Sequence, residues 1–141
     1  MIGRSKKADD TIPANKELSG ENAVYVIGSN MMSSKLGEVV ANTNKAYLKL
    51  DYDLRFDDPK DPNRFFFRSD HFNYAVNGIP ISFWFDGVHV DYHQVGDEPQ
   101  KIDYVKMEKI TRTIFLTMWE LGDLKERPKI DKELPKELTQ R

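Results

Sequence analysis

Ile79-Pro80-Ile81-Ser82-Phe83-Trp84-Phe85 runs directly into Asp86-Gly87-Val88-His89-Val90-Asp91-Tyr92-His93-Gln94-Val95-Gly96-Asp97. The first stretch is strongly apolar and predicts a strand. The second stretch is polar and predicts a long loop, which carries two of the three histidines of the chain. In α/β sheets ligands bind beyond the carboxyl ends of strands, so this loop is the first place to look for a site.

Elements of alternating type surround this stretch. We predict strands over 23–27 and 48–54, and helices over 33–47, 70–76 and 104–121, with Ser33 or Ser34, Ser69 and Asp103 as caps. In the last helix an apolar stripe predicts packing against the sheet, together with Trp119; its members are Met107, Ile110, Ile114, Met118 and Leu121. The order strand, helix, strand, short helix, strand, long helix predicts an α/β fold with a mostly parallel sheet flanked by helices.

Length and composition limit the possible classes of protein. The 141 residues suffice for one domain, which we place at 1–122, followed by a charged tail over 123–141 that is extended or disordered. The absence of cysteine excludes disulfides and thiolate ligands. A formal charge of −2 gives no basic surface for nucleic acid. No apolar run approaches the roughly 20 residues that cross a bilayer, and residues 1–7 hold no signal-peptide core.

Two groups of residues could carry chemistry. If 89–93 is extended, His89, Asp91 and His93 point to one side and offer three ligands of the kind zinc accepts. A solvated polar loop is the alternative, and from the residues alone it is the favoured one. Asp70 and His71 lie at a helix entry, where they could border a pocket, although simple helix capping is favoured there.

Two segments resemble a known family. Phe67-Arg68-Ser69-Asp70-His71-Phe72-Asn73-Tyr74-Ala75, followed by Asn77-Gly78-Ile79-Pro80, resembles the R-S-D-H-x-x-F … G-I-P segment of the co-catalytic di-zinc aminopeptidases. This family also includes glutaminyl cyclases and transferrin-receptor-like carboxypeptidases. The run from Gly87 to His93, with Asp97 and Pro99 after it, resembles the closing segment of the same family. The resemblance is strong over about residues 64–122, weaker over 1–63 and absent from the tail.

The resemblance implies a fold and a set of roles. The fold would be the C-terminal portion of a zinc-exopeptidase-like, phosphorylase/hydrolase-like three-layer α/β structure. His93 matches the last zinc ligand of the family, and Tyr92 matches a tyrosine that stabilises the oxyanion of the tetrahedral intermediate. Asp70 matches an aspartate near the pocket. His71, His89, Asp91 and Asp97 belong to the same motifs as residues of the pocket or its surroundings.

The departures from the family pattern are as informative. The complete family site holds two zinc ions, whose other ligands and general base precede the segment present here. Met1-Ile2-Gly3-Arg4 resembles the N-x-D-M-I-G-R strand end, in which the ligand aspartate would fall just before Met1. A catalytic zinc needs at least three protein ligands. We therefore expect this chain to hydrolyse peptides little or not at all when isolated, and not to bind zinc tightly alone.

A second interpretation is not enzymatic. The chain would then be an α/β module that acts by association, because a sheet without its neighbouring strands exposes edges that pair with another copy. We expect a homo-oligomer in that case. For the complete enzyme the partner is a peptide substrate, with neither nucleic acid nor a membrane involved. Members of the family are often secreted or periplasmic, and the sequence does not decide the compartment.

Overall fold

The computed structural model describes residues 1–6, 11–134 and 136. Among these residues three strands form one sheet: β1 (Ala23–Ile27), β2 (Asp51–Asp53) and β3 (Phe83–Phe85), in the order β2-β1-β3. β1 pairs with β2 in parallel and with β3 in antiparallel orientation. The sheet is therefore mixed, which corrects the expectation of a mostly parallel sheet. Two parallel strands need a long connection, which is usually a helix. The β1–β2 connection contains such a helix, which is 13 residues long.

The helices follow the predicted order. They are α1 (Ser29–Met32), α2 (Ser34–Ala46), α3 (His71–Val76) and α4 (Tyr104–Gly122), with short 3-10 helices at Pro13–Asn15, Phe65–Phe67 and Pro99–Lys101. The short α1 was not predicted. None of the helices among the described residues is long and apolar enough to cross a membrane.

Two of the three predicted caps are confirmed. The Ser33 hydroxyl accepts a hydrogen bond from Leu36 N at 3.3 Å, which decides between the two serines at the start of α2. The Asp103 carboxylate accepts from Lys106 N at 3.0 Å and caps α4. The prediction of a Ser69 cap on α3 is wrong, because Asp70 occupies the N-cap position and makes no side-chain capping bond.

The two faces of β1 contact different cores. Val24 and Val26 belong to a cluster with residues of α2 and α4, which covers one face of the sheet; its other members are Leu36, Val40, Leu50 and Ile110. Tyr25 and Ile27 belong to the second, aromatic-rich cluster on the other face, with Met31, Met32, Phe56, Phe65, Phe66, Ala75, Ile81 and Phe85. The α/β class is confirmed, although the described sheet is smaller than the three-layer fold that the resemblance implies.

Strands β2 and β3 are shorter than predicted. β2 begins only at Asp51, because Lys49 has a left-handed φ of 54° that breaks the extended chain. β3 begins only at Phe83. Pro80 cannot donate a hydrogen bond to a neighbouring strand, and Ile79 is exposed.

The buried stripe of α4 differs from the predicted one. Its buried residues are Lys106, Ile110, Thr113 and Thr117. Ile114 and Leu121 pack on the first cluster while partly buried, whereas Met118 and Trp119 are each 62% exposed. The expectation that the Met and Trp side chains of this helix are core is therefore wrong for these two. The buried face of the helix was predicted from apolar residues only. The observed buried face also carries a lysine and two threonines, so it lies at a different angle around the helix axis.

The segment after α4 folds back on the domain. Residues 123–134 form no helix or strand. Ile130 and Leu134 nevertheless pack against the aromatic-rich cluster, and Asp131 accepts a hydrogen bond from Ser34 N at 2.8 Å. The predicted extended or disordered tail falls partly on residues 135 and 137–141, which lie outside the described residues.

Candidate functional site

The polar loop after β3 borders a small pocket. The cavity has a volume of about 290 Å³. Its lining residues combine an aromatic floor with charged and polar groups: Met1, Phe65, Arg68, Ser69, Phe83, Phe85, Tyr92, His93 and Asp97. Both sequence segments that carry the family resemblance therefore meet at one pocket, since Arg68 and Ser69 come from the first and Tyr92, His93 and Asp97 from the second.

Tyr92 and His93 lie together on this pocket. Their rings are stacked, with centroids 3.9 Å apart and planes 20° from parallel. His93 is exposed and has a φ of 58°, the left-handed region that a residue with a side chain rarely adopts. That conformation costs roughly 1–2 kcal/mol for a non-glycine residue, so the surrounding contacts must hold it. An exposed imidazole held in such a conformation is available to a ligand.

The proposed cluster of His89, Asp91 and His93 does not form. The segment is a turn rather than a strand, because Tyr92 N donates to His89 O at 3.0 Å and Gln94 N donates to Asp91 O at 2.8 Å. His89 is buried, with its Nδ1 3.3 Å from the Arg4 guanidinium. Asp91 pairs with Arg4 at 3.0 Å and with Lys101 at 2.8 Å, and these cations hold the pKa of its carboxyl below the usual range, Lys101 having the largest effect.

Asp97 connects the pocket to the buried interior. Its Oδ1 lies 3.3 Å from Arg4 Nη1, and its Oδ2 lies 3.9 Å from His89 Nε2. The side chain is 41% exposed, whereas that of Arg4 is only 4% exposed. Asp97 therefore presents a carboxylate to the pocket while its other contacts face inward.

Asp70 and His71 do not line this pocket. Asp70 is exposed at the start of α3. The His71 Nε2 is 2.7 Å from the Phe66 carbonyl oxygen, and the ring stacks on Phe83 at 4.4 Å. Burial lowers the pKa of His71, so the neutral ring with a proton on Nε2 suits this contact. His71 thus packs against Phe83, which lines the pocket.

The start of the loop is fixed by a buried charge pair. Asp86 Oδ2 accepts from Arg4 N at 3.0 Å, and Asp86 Oδ1 lies 3.3 Å from Lys106 Nζ. Burial raises the pKa of Asp86 to about 6, against the opposing effect of Lys106. Burial also lowers the pKa of Lys106, more than Asp86 raises it. Taking both charges out of water therefore outweighs their mutual attraction.

The next residue needs to be glycine. Gly87 has a φ of +105°, and a β-carbon there would lie 2.3 Å from the carbonyl oxygen of Glu17. The loop is thereby pressed against residues 17 and 18. Farther along, Val90 N donates to the side-chain oxygen of buried Asn15 at 2.6 Å.

Sequence reasoning missed the residues that anchor the loop, namely Arg4, Asn15, Asp86 and Lys106. Asp86 and Lys106 are 20 positions apart, and the other side-chain contacts that anchor the loop join positions 75 to 102 apart in the chain. Such long-range pairs leave no local pattern. One signal was available: Lys106 stands four residues before Ile110, on the inward side of α4.

The described residues do not make a complete metal site. They contain no group of three or more His, Asp, Glu or Cys side chains that could hold an ion. Of the pocket residues, His93 and Asp97 are suitable donors, and Asp97 is already paired with Arg4. A catalytic zinc needs three protein ligands, so this donor set does not fit one without further residues.

Comparison with known families identifies one match. The family model for peptidase family M28 matches residues 7–118, which is most of the chain and includes the whole loop that borders the pocket. Comparison with curated proteins and with solved structures gives no match.

Proposed function

The chain belongs to peptidase family M28, and we propose from this premise that it carries the C-terminal part of a zinc-dependent exopeptidase that hydrolyses peptides in the manner of an aminopeptidase. The observation that supports this proposal best is the shared pocket of Met1, Tyr92 and His93. Met1 resembles the residue that follows a ligand aspartate in the family, and His93 resembles the last ligand. In the fold the two positions border the same cavity.

Each pocket residue has a role in this proposal. His93 would give one imidazole nitrogen to a zinc ion, which in such enzymes activates water for attack on a carbonyl. Tyr92 would donate a hydrogen bond from its phenolic hydroxyl to the carbonyl oxygen that becomes negatively charged. The aromatic rings of Phe65, Phe83 and Phe85 would exclude water and receive apolar parts of the peptide.

The same geometry supports the proposal that the isolated chain is inactive. One imidazole, with a carboxylate already paired to Arg4, leaves a zinc ion short of ligands. None of the described residues of the pocket is a glutamate that could serve as general base. We therefore propose that these 141 residues alone do not catalyse peptide hydrolysis.

The test combines an activity assay with metal analysis. The purified chain is incubated with a chromogenic amino-acid anilide and added Zn²⁺, and we expect no turnover. After dialysis we expect no stoichiometric zinc. In a zinc titration, His93→Ala should weaken whatever binding the chain shows, whereas the neighbouring exposed Gln94→Ala should not. Turnover at the rate of a normal aminopeptidase, or two tightly held zinc ions, would contradict the proposal.

We also propose, as the second function, that the chain self-associates. Within the described residues, β2 and β3 each pair only with β1, so each has an unpaired outer edge. These edges are only three residues long, and short edges are poor templates for strand addition. The exposed side chains of Phe115, Met118 and Trp119 on α4 add apolar surface that another copy could cover.

A further inference from the structure

Arg4 lies at the centre of the contacts beneath the pocket. Its side chain is 4% exposed, and its Nη1 lies 3.0 Å from Asp91 Oδ2, 3.3 Å from Asp97 Oδ1 and 3.3 Å from His89 Nδ1. Its backbone N also donates to Asp86 Oδ2 at 3.0 Å. One residue near the beginning of the chain therefore contacts four residues of the loop after β3.

The contacts of Arg4 lie on both sides of His93 in the sequence. Asp91 is two residues before His93 and Asp97 is four residues after it. Between these two anchors the chain turns back on itself, with Asp97 N donating to Gln94 O at 3.1 Å. Two ion pairs to one buried cation thus fix both ends of the turn that holds His93 at its left-handed φ of 58°.

The contact with His89 has a chemical consequence. A guanidinium group has only donors, so a hydrogen bond between Arg4 and His89 requires Nδ1 to accept. The proton of neutral His89 must then lie on Nε2, which faces Asp97 Oδ2 at 3.9 Å. Arg4 and Asp97 therefore favour the same tautomer from opposite sides of the ring.

We propose that Arg4 is a positioning residue for His93: by binding Asp91, Asp97 and His89 together, it holds the turn that presents Tyr92 and His93 to the pocket. This inference rests on the proposed function, in which His93 is a zinc ligand. The geometry itself does not depend on zinc. A lysine cannot replace Arg4, because its side chain ends one bond earlier and its ammonium does not reach the position of Nη1, the atom that makes all three loop contacts.

Nuclear magnetic resonance of the metal-free full chain tests the proposal. Nitrogen shifts of the imidazole report the His89 tautomer, and backbone couplings with carbon shifts report φ at His93. In the wild type we expect a single Nε2–H tautomer at His89 and a left-handed His93. Arg4→Lys should lose both signatures. The matched control is Arg55→Lys, since Arg55 is exposed and pairs with Asp53; it should change neither.

Other outcomes decide against the proposal. A proton on Nδ1 of His89 in the wild type overturns it, as does an Arg4→Lys chain that keeps both signatures. If Arg4→Lys does not fold, the wild type decides alone: a coupling through the hydrogen bond between the Arg4 guanidinium and His89 Nδ1 supports the proposal, and its absence overturns it. Turnover of the anilide by the isolated chain, or two tightly held zinc ions, would contradict the proposed function while leaving these metal-free measurements unaffected.

Discussion

Lys106 Nζ lies 3.3 Å from Asp86 Oδ1, and the side chains of both residues are almost completely shielded from solvent. The ammonium also donates to the carbonyl oxygens of Arg4 and Ser19 at 2.9 and 3.1 Å, and to the Ser19 hydroxyl at 2.8 Å. One lysine thereby ties the longest helix to the start of the pocket loop and to two N-terminal segments.

Removing the lysine should destabilise the fold strongly. Lys106→Met leaves the Asp86 carboxyl without its cation and the Arg4 carbonyl oxygen without this donor, for which we expect a loss of about 3–5 kcal/mol in the free energy of unfolding. Urea denaturation at pH 7 measures it. Lys109→Met on the same helix is the control, because within the described part of the chain the Lys109 ammonium makes only a long 3.4 Å contact with Asn22. Equal losses in the two variants would refute the assigned role of Lys106.

Asp86 should make stability depend on pH between about 4 and 6. Its pKa in the folded chain is about 6 because of burial, whereas an aspartate in an unfolded chain titrates near 3.9. The folded state therefore binds the proton more tightly, so the contribution of Asp86 to stability falls as pH rises through this window and is constant above it. At about 1.4 kcal/mol per pKa unit the fall is on the order of 3 kcal/mol.

The variant Asp86→Asn isolates this effect, because it keeps the shape of the side chain and does not titrate. We expect the unfolding free energy of the wild type minus that of Asp86→Asn to decrease from pH 4 to pH 6. Urea denaturation at several pH values gives both quantities. A difference that is flat, or that rises with pH, would show that Asp86 is not protonated more readily in the folded chain.

Ser33 and Ser34 should respond differently to alanine. The Ser33 hydroxyl caps α2 and is fully buried, so Ser33→Ala should cost about 1 kcal/mol, within the range of 0.5–2 kcal/mol known for such caps. Ser34 is exposed, and its backbone N and its hydroxyl both contact the Asp131 carboxylate at the surface rather than capping the helix. Ser34→Ala should therefore change stability by less than about 0.5 kcal/mol. Thermal unfolding compares the two, and the reverse order would place the cap at Ser34.

Light scattering should find the isolated chain in an oligomer. The exposed rings of Phe115 and Trp119 lie 6.2 Å apart on α4. If this surface is used, Phe115→Ser combined with Trp119→Ser shifts the mass toward the monomer. If the sheet edges are used instead, the double variant keeps the mass of the wild type. A wild-type chain that is monomeric at high concentration would rule out both routes.

The local elements could be predicted from the sequence where one physical effect dominates. β1 was predicted with its observed bounds, because a β-branched and aromatic run that ends at a glycine has few alternatives. The helix that ends at Gly122 was predicted because Asp103 is an unambiguous cap. The orientation of β3 could not be predicted, since it depends on how residues 54–82 pack around their aromatic side chains.

The candidate site could likewise be predicted only in part. The neighbouring pair Tyr92 and His93 could be singled out from the local motif, and both line the pocket. The supposed grouping of His89 and Asp91 with His93 depended on an extended backbone, which the hydrogen bonds of the turn exclude. Arg4 could not be recognised as the anchor of this loop, because its acceptors are 82 to 93 residues away.

The position of Met1 has a practical consequence for laboratory work. Met1 lines the pocket, and its carbonyl oxygen accepts a hydrogen bond from Asp86 N at 3.1 Å, so the first residue is held in place there. A purification tag fused to the amino terminus would begin one residue spacing, about 3.8 Å, from that point. Such a tag would start beside a residue that lines the cavity, so affinity tags for zinc or ligand experiments belong at the carboxyl end.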